Sequence, residues 1–129
     1  MVCAHHHLYS SLARGMPGPE APPLSFLGIL ESIWWKLDQA LDLETIYWSA
    51  KLGALEALET GTTCIIDHHE SPNAMEGSLS VIAEACTEVG IRVNTCYGIT
   101  DRHPESSFPP ESMTEGARRG LEENRRFLS

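Results

Sequence analysis

The 129-residue chain predicts an α/β fold with parallel strands. Three observations predict it. Short apolar, β-branched runs alternate with amphipathic helical segments, as in βα units. The run Thr62-Thr63-Cys64-Ile65-Ile66 is largely apolar at successive positions, as a strand buried on both faces would be. Polar residues gather where the predicted strands end, and in parallel sheets those ends form the working face. They are His5 and His7, then Asp67, His68, His69 and Glu70, then Tyr97, Thr100, Asp101 and Arg102.

Each element follows in order. Val2 to about His7 reads as a first strand. Residues 8–24 hold Gly15, Pro17, Gly18, Pro19, Pro22 and Pro23, a density that predicts a long loop. Loops of that length tend to be lids or binding loops. Ser25 caps a helix whose apolar positions, Phe26, Leu27, Leu30, Ile33, Trp34, Leu37 and Leu41, recur at three and four. Asp42 breaks it and caps a second helix over 43–59, which Gly61 terminates. The strand at 62–66 comes next, with Asp67 to Glu70 at its end. A helix over 76–89, with Leu79, Ile82, Ala83 and Cys86 on one side, stops at Gly90. A third strand covers 91–97 and a polar loop 98–111. Ser112 then caps a last helix from about Met113, with Glu115 as capping-box partner.

Acidic residues outnumber basic ones 18 to 9, for a formal charge of −9. That balance argues against nucleic acid as a partner, since phosphate binding needs clustered Lys and Arg. Arg118-Arg119 and Arg125-Arg126 stand among Glu115, Glu122 and Glu123 and read as a solvated helix face. Cys3, Cys64, Cys86 and Cys96 form no C-x-x-C pair and no disulfide pattern, so the expected compartment is the cytoplasm. No apolar run reaches membrane-spanning length, and no signal peptide opens the chain. The start inside a strand and the end on a helix without a stop signal predict one part of a longer protein.

The chemistry centres on His5 and His7. Side chains two apart on a strand share a face, so two imidazoles can close on one cation while His6 points away. Neutral imidazole suits Zn, Fe, Ni or Cu. Two ligands bind weakly, because catalytic zinc usually takes three from the protein. The alternative is a pair of polar strand-end residues. His68 and His69 are second candidates, to orient substrate or support a metal ligand, or as solvent-facing loop residues. Asp67 either accepts a hydrogen bond from a ligand His or caps the following turn. Trp34-Trp35 reads as helix-packing surface, and His103 as structural. Glycine-rich phosphate loops and the G-x-S-x-G elbow are absent.

The segment His5-His6-His7-Leu8-Tyr9-Ser10-Ser11-Leu12-Ala13-Arg14-Gly15 resembles the first-strand motif of the amidohydrolase superfamily. It is most similar to the branch holding cytosine and guanine deaminases and triazine hydrolases. Gly61-Thr62-Thr63-Cys64-Ile65-Ile66-Asp67-His68-His69 resembles that branch's second-strand motif. Residues 34–42 and 67–74 are similar to the SsnA group of aminohydrolases. The resemblance spans essentially the whole chain.

This resemblance implies a partial (β/α)₈ TIM barrel, about its first three βα units. Residues 1–129 would be the N-terminal portion of one metal-dependent hydrolase barrel, without the rest of the barrel or the flanking β-sandwich. His5 and His7 would be the first two ligands of a divalent metal, Zn or Fe. Tyr9, Arg14, His68 and His69 are candidates for contacting a small-molecule substrate, although Arg14 is equally placed to fasten its loop. The acid/base residue and the other ligands are expected beyond residue 129. The implied reaction is hydrolysis of a non-peptide C–N bond of a heterocyclic or amidine-like substrate by metal-activated water. The 129 residues alone are expected to be inactive, and the full-length protein is compatible with a homo-oligomer. The rival readings are a non-catalytic α/β module with surface histidines, and a flavodoxin-like protein, which three strands and the missing phosphate loop disfavour.

Overall fold

The structure is a computed structural model, describing residues 1–100 and 113–129. Three parallel strands, β1 (Val2–His6), β2 (Cys64–His69) and β3 (Arg92–Tyr97), form a sheet in the order β1-β2-β3. Helical segments connect them: a 3₁₀ helix (Leu8–Ala13), α1 (Phe26–Ile29), a π turn (Leu30–Trp34), α2 (Trp35–Ala40) and α3 (Leu43–Glu59) before β2. Helix α4 (Ser78–Val89) precedes β3, and α5 (Glu115–Leu128) follows it. This is the α/β architecture with parallel strands that the sequence predicts, and it is consistent with the partial barrel that the resemblance implies.

The local signals that set α3 are visible in its caps. The Asp42 carboxylate accepts the Thr45 N–H at 2.7 Å while the Thr45 hydroxyl accepts the Asp42 N–H at 2.9 Å, a reciprocal capping box. At the other end Gly61 takes φ +83°, a left-handed conformation suited to glycine. The core lies between the sheet and the helices. Leu8, Ile46, Ala50, Ala54, Ile65, Leu79, Ile82 and Cys86 are all fully buried there.

Several boundaries differ from the sequence reading. Strand β2 starts at Cys64 and runs on through Asp67, His68 and His69, which pair with Thr95, Cys96 and Tyr97. The polar triplet therefore lies inside the ladder. Among the described residues, one face of the sheet is covered by helices. Ile65, Asp67 and His69 face the helices, whereas Ile66 is 37% exposed, so β2 is not buried on both faces. Residues 8–13 of the predicted loop are a 3₁₀ helix. Its turns are secured by Ser10 and Ser11, whose hydroxyls donate to the His7 and Leu8 carbonyls, and by Ser49 of α3, which donates to the Leu8 carbonyl at 2.7 Å.

The helix predicted over 26–41 is interrupted by the π turn, and its first residues, Phe26 and Leu27, stand in solvent. The last helix begins at Glu115 with Thr114 as its cap, accepting the Ala117 N–H at 3.1 Å. The proposed cap Ser112, and the predictions for Asp101, Arg102 and His103, lie outside the described residues. Glu123 of α5 is not on a solvated face: its carboxylate is buried and accepts the Gly77 and Leu79 N–H groups at the start of α4. Asn124 brackets Tyr97, accepting its N–H and donating to its carbonyl, each at 3.0 Å. This seats α5 against the outer edge of β3.

Candidate metal and substrate site

His5 and His7 meet on the open face of the sheet. Their Nε2 atoms are 3.1 Å apart. A register shift between Cys3 and His6 locally departs from regular pairing, yet the two side chains still share a face. The His7 Nδ1 lies 2.9 Å from the His68 carbonyl. A carbonyl only accepts, so Nδ1 carries the proton and the Nε2 of a neutral His7 presents a lone pair. Two imidazole nitrogens on one tetrahedral zinc would stand about 3.3 Å apart. The pair therefore fits two positions of a metal site. Among the described residues no group of three or more His, Cys, Asp or Glu is arranged to hold an ion, so the pair is not a complete ligand set.

Asp67 takes neither role proposed for it from the sequence. It is 1% exposed. Its Oδ1 accepts the Leu8 N–H at 2.7 Å, and its Oδ2 accepts the Thr95 hydroxyl at 2.8 Å. Burial raises its pKa, and these two donors only partly offset that. His6, its register partner on β1, faces the same side of the sheet. Burial lowers the His6 pKa, partly countered by the Asp67 charge.

A pocket of about 300 Å³ opens beside His7, lined by Tyr9, Phe26, Leu30, Trp34, Asp38, His68 and Glu70. His7 forms the hub of its rings: Tyr9, Trp34 and His68 have centroids 5.8, 6.3 and 5.4 Å away. Aromatic walls with a few acidic groups suit a flat, polar ring. The sequence had assigned Trp34 to packing and had not singled out Asp38. The signal was their spacing of four on one helix face; both line the pocket, and a π turn ends at Trp34. Wide turns of this kind recur at functional sites.

The remaining candidates divide. Tyr9 and His68 line the pocket. His69 does not: it is fully buried on the helix side of the sheet. There its Nε2 meets the Ser71 hydroxyl at 2.8 Å, and Ser71 donates onward to the Ala74 carbonyl. Nε2 is thus the donor and His69 is neutral; burial pushes its pKa down to about 3. Arg14 is exposed, and its guanidinium is held by both oxygens of Glu56 on α3, at 2.8 and 2.6 Å. Of its two proposed roles, the geometry supports fastening the loop.

Comparison with known proteins places the chain in a family. The model of the Amidohydrolase family matches residues 1–128. A 5'-deoxyadenosine deaminase of Methanopyrus kandleri is 35% identical over 111 residues, covering 86% of this chain and 23% of that protein. A 5-methylthioadenosine/S-adenosylhomocysteine deaminase of Thermococcus sibiricus is 34% identical over 100 residues, covering 78% and 21%. One of the same description from Aquifex aeolicus is 31% identical over 120 residues, covering 92% and 25%. The chain thus spans about a quarter of the length of these relatives.

Proposed function

The chain belongs to the amidohydrolase family, and from that premise we propose that it supplies two metal ligands and part of the substrate pocket of an aminohydrolase. The reaction is the hydrolytic deamination of a heterocyclic amine. The relatives' names make an adenine nucleoside the first substrate class to try. The observation that carries this reading is the convergence of the His5 and His7 Nε2 atoms, 3.1 Å apart, beside a ring-lined pocket.

Family members are typically metal-dependent, and the ion proposed here is Zn or Fe, both of which accept imidazole. When bound, such an ion supplies a Lewis acid that activates water. The chain's own residues do the rest of what can be assigned. His5 and His7 hold the ion by Nε2. Tyr9, Trp34 and His68 stack around the ring. Asp38 and Glu70 add acidic groups to the pocket lining. The other ligands and the acid/base residue belong to parts of the protein outside these residues.

The net charge of −9 supports a small-molecule partner over nucleic acid. No helix among the described residues is long and apolar enough to cross a membrane. Four free thiols support a cytoplasmic location.

The test uses the complete natural gene product. Its metal content is measured, and ammonia release is followed with 5'-deoxyadenosine, 5-methylthioadenosine and simple aminoheterocycles. The expected result is bound Zn or Fe, turnover of at least one substrate, and loss of both in the His5→Ala, His7→Ala double variant. Undiminished metal and turnover in that variant would overturn the proposal.

A further inference from the structure

We propose that Asp67 is a positioning residue for the metal pair: by accepting the Leu8 N–H it fixes the peptide after His7, and so the direction of the His7 Nε2. This rests on the reading of His5 and His7 as ligands.

The argument begins where β1 ends. The strand stops at His6, so the sheet ladder does not hold His7. Its backbone, at φ −132° and ψ 79°, already departs from the strand and leads into the 3₁₀ helix. Two bonds then define the residue. One is on its ring, from Nδ1 to the His68 carbonyl at 2.9 Å. The other is on its main chain, from the Leu8 N–H to Asp67 Oδ1 at 2.7 Å. The ring bond sets the tautomer and leaves rotation of the whole residue undetermined. The main-chain bond removes that freedom.

Asp67 is itself immobilised. The Thr95 hydroxyl holds its second oxygen at 2.8 Å, and the residue is 1% exposed. One carboxylate thus joins all three strands at the level of the histidines: β2 carries it, β3 orients it, and it pins the exit of β1. An apolar side chain of similar volume would fill the same space without desolvating a charge, but it would leave the Leu8 N–H without its acceptor. Groups that hydrogen-bond a metal ligand typically change affinity by about 10- to 100-fold when mutated, and Asp67 acts on the same ligand through the peptide that follows it.

The experiment uses the complete gene product, stripped of metal and titrated with cobalt(II) chloride, whose visible absorption reports ligand geometry. Wild type, Asp67→Leu, Asp67→Asn, Thr95→Val and the His5→Ala, His7→Ala double variant are compared, with thermal unfolding recorded for each. The expected results are a loss of about 10- to 100-fold in cobalt affinity for Asp67→Leu, with an altered spectrum. Asp67→Asn, which keeps an acceptor for Leu8, stays within about threefold of wild type. Thr95→Val falls between them with a shifted spectrum, and it decides the matter if Asp67→Leu does not fold.

An Asp67→Leu protein, or in its absence Thr95→Val, with wild-type affinity and spectrum would overturn the positioning role. So would a folded Asp67→Asn that lost as much affinity as Asp67→Leu, because charge rather than the bond to Leu8 would then matter. Wild-type cobalt binding by the double histidine variant would instead overturn the ligand reading beneath it.

Discussion

Gly98 and Glu70 share one space: a Cβ built on Gly98 would overlap the Glu70 Oε1. The His68 Nε2 would be 2.7 Å from the same point. Two polar groups of the pocket therefore sit against bare backbone at the exit of β3. Gly98→Ala is expected to displace both side-chain ends, at an overpacking cost near the lower end of about 1–3 kcal/mol, and to raise KM for the substrate. Urea unfolding and steady-state kinetics check this. In a double-mutant cycle, Glu70→Ala should recover part of the stability lost. Unchanged stability and KM in Gly98→Ala would refute the crowding described here.

Glu123 supplies from α5 what the start of α4 lacks. The N-cap there is Gly77, at φ +84°, with no side chain of its own. The Glu123 carboxylate takes the Gly77 and Leu79 N–H groups, both at 3.1 Å, and is held by the Arg126 Nε at 2.7 Å. Burial raises its pKa, but Arg126 and the two N–H groups outweigh that and hold it below the usual range. Its stabilisation is present above the unfolded carboxylate pKa and is lost as pH falls through the lower folded value. Glu123→Ala is expected to cost about 1–3 kcal/mol at pH 7. The loss should shrink in acid, and denaturation at pH 7 and pH 3 measures both.

What the sequence made legible was local or periodic. The Asp42 cap needs only its own turn. The His5 and His7 pairing follows from a period of two and persists despite the register shift beside it. The alternation of Asp67, His68 and His69 was also legible, but not which face was covered, since all three are polar. The contacts that could not be read cross long stretches of chain. Asp67 reaches Leu8 across 59 residues, and Glu123 reaches Leu79 across 44. Trp34 packs against the core, as the sequence reads it; what the sequence does not show is that the same ring also lines the pocket beside His7.

Arg14 is expected to matter little to substrate binding. Its bidentate pair with Glu56 ties the end of the 3₁₀ segment to α3, and both side chains are substantially exposed, at 69% and 38%. Exposed pairs contribute weakly and are screened by salt. Arg14→Ala should leave KM unchanged and alter thermal stability only slightly, with the difference disappearing at high ionic strength. A tenfold rise in KM with intact stability would restore Arg14 as a substrate contact.

His69 should give the protein a measurable sensitivity to mild acid. Burial pushes the folded imidazole down to about 3, from an ordinary 6.5. Below about 6.5 the unfolded chain takes up a proton that the folded one refuses. Stability is therefore full above the unfolded pKa and falls as pH drops toward the folded value, by up to ~1.4 kcal/mol per pH unit. Between pH 7 and pH 5 this amounts to about 2 kcal/mol. Asp67 acts in the opposite sense, because burial raises its pKa and the folded state takes its proton first at lower pH. His6, also lowered by burial, adds to the loss. Both are present in wild type and variant alike, so the comparison isolates His69. His69→Gln keeps an N–H donor for Ser71 but cannot titrate. Urea unfolding of both proteins at pH 7 and pH 5 should show a fall smaller by about 2 kcal/mol in the variant. An equal fall in both would mean that His69 accepts its proton within the fold.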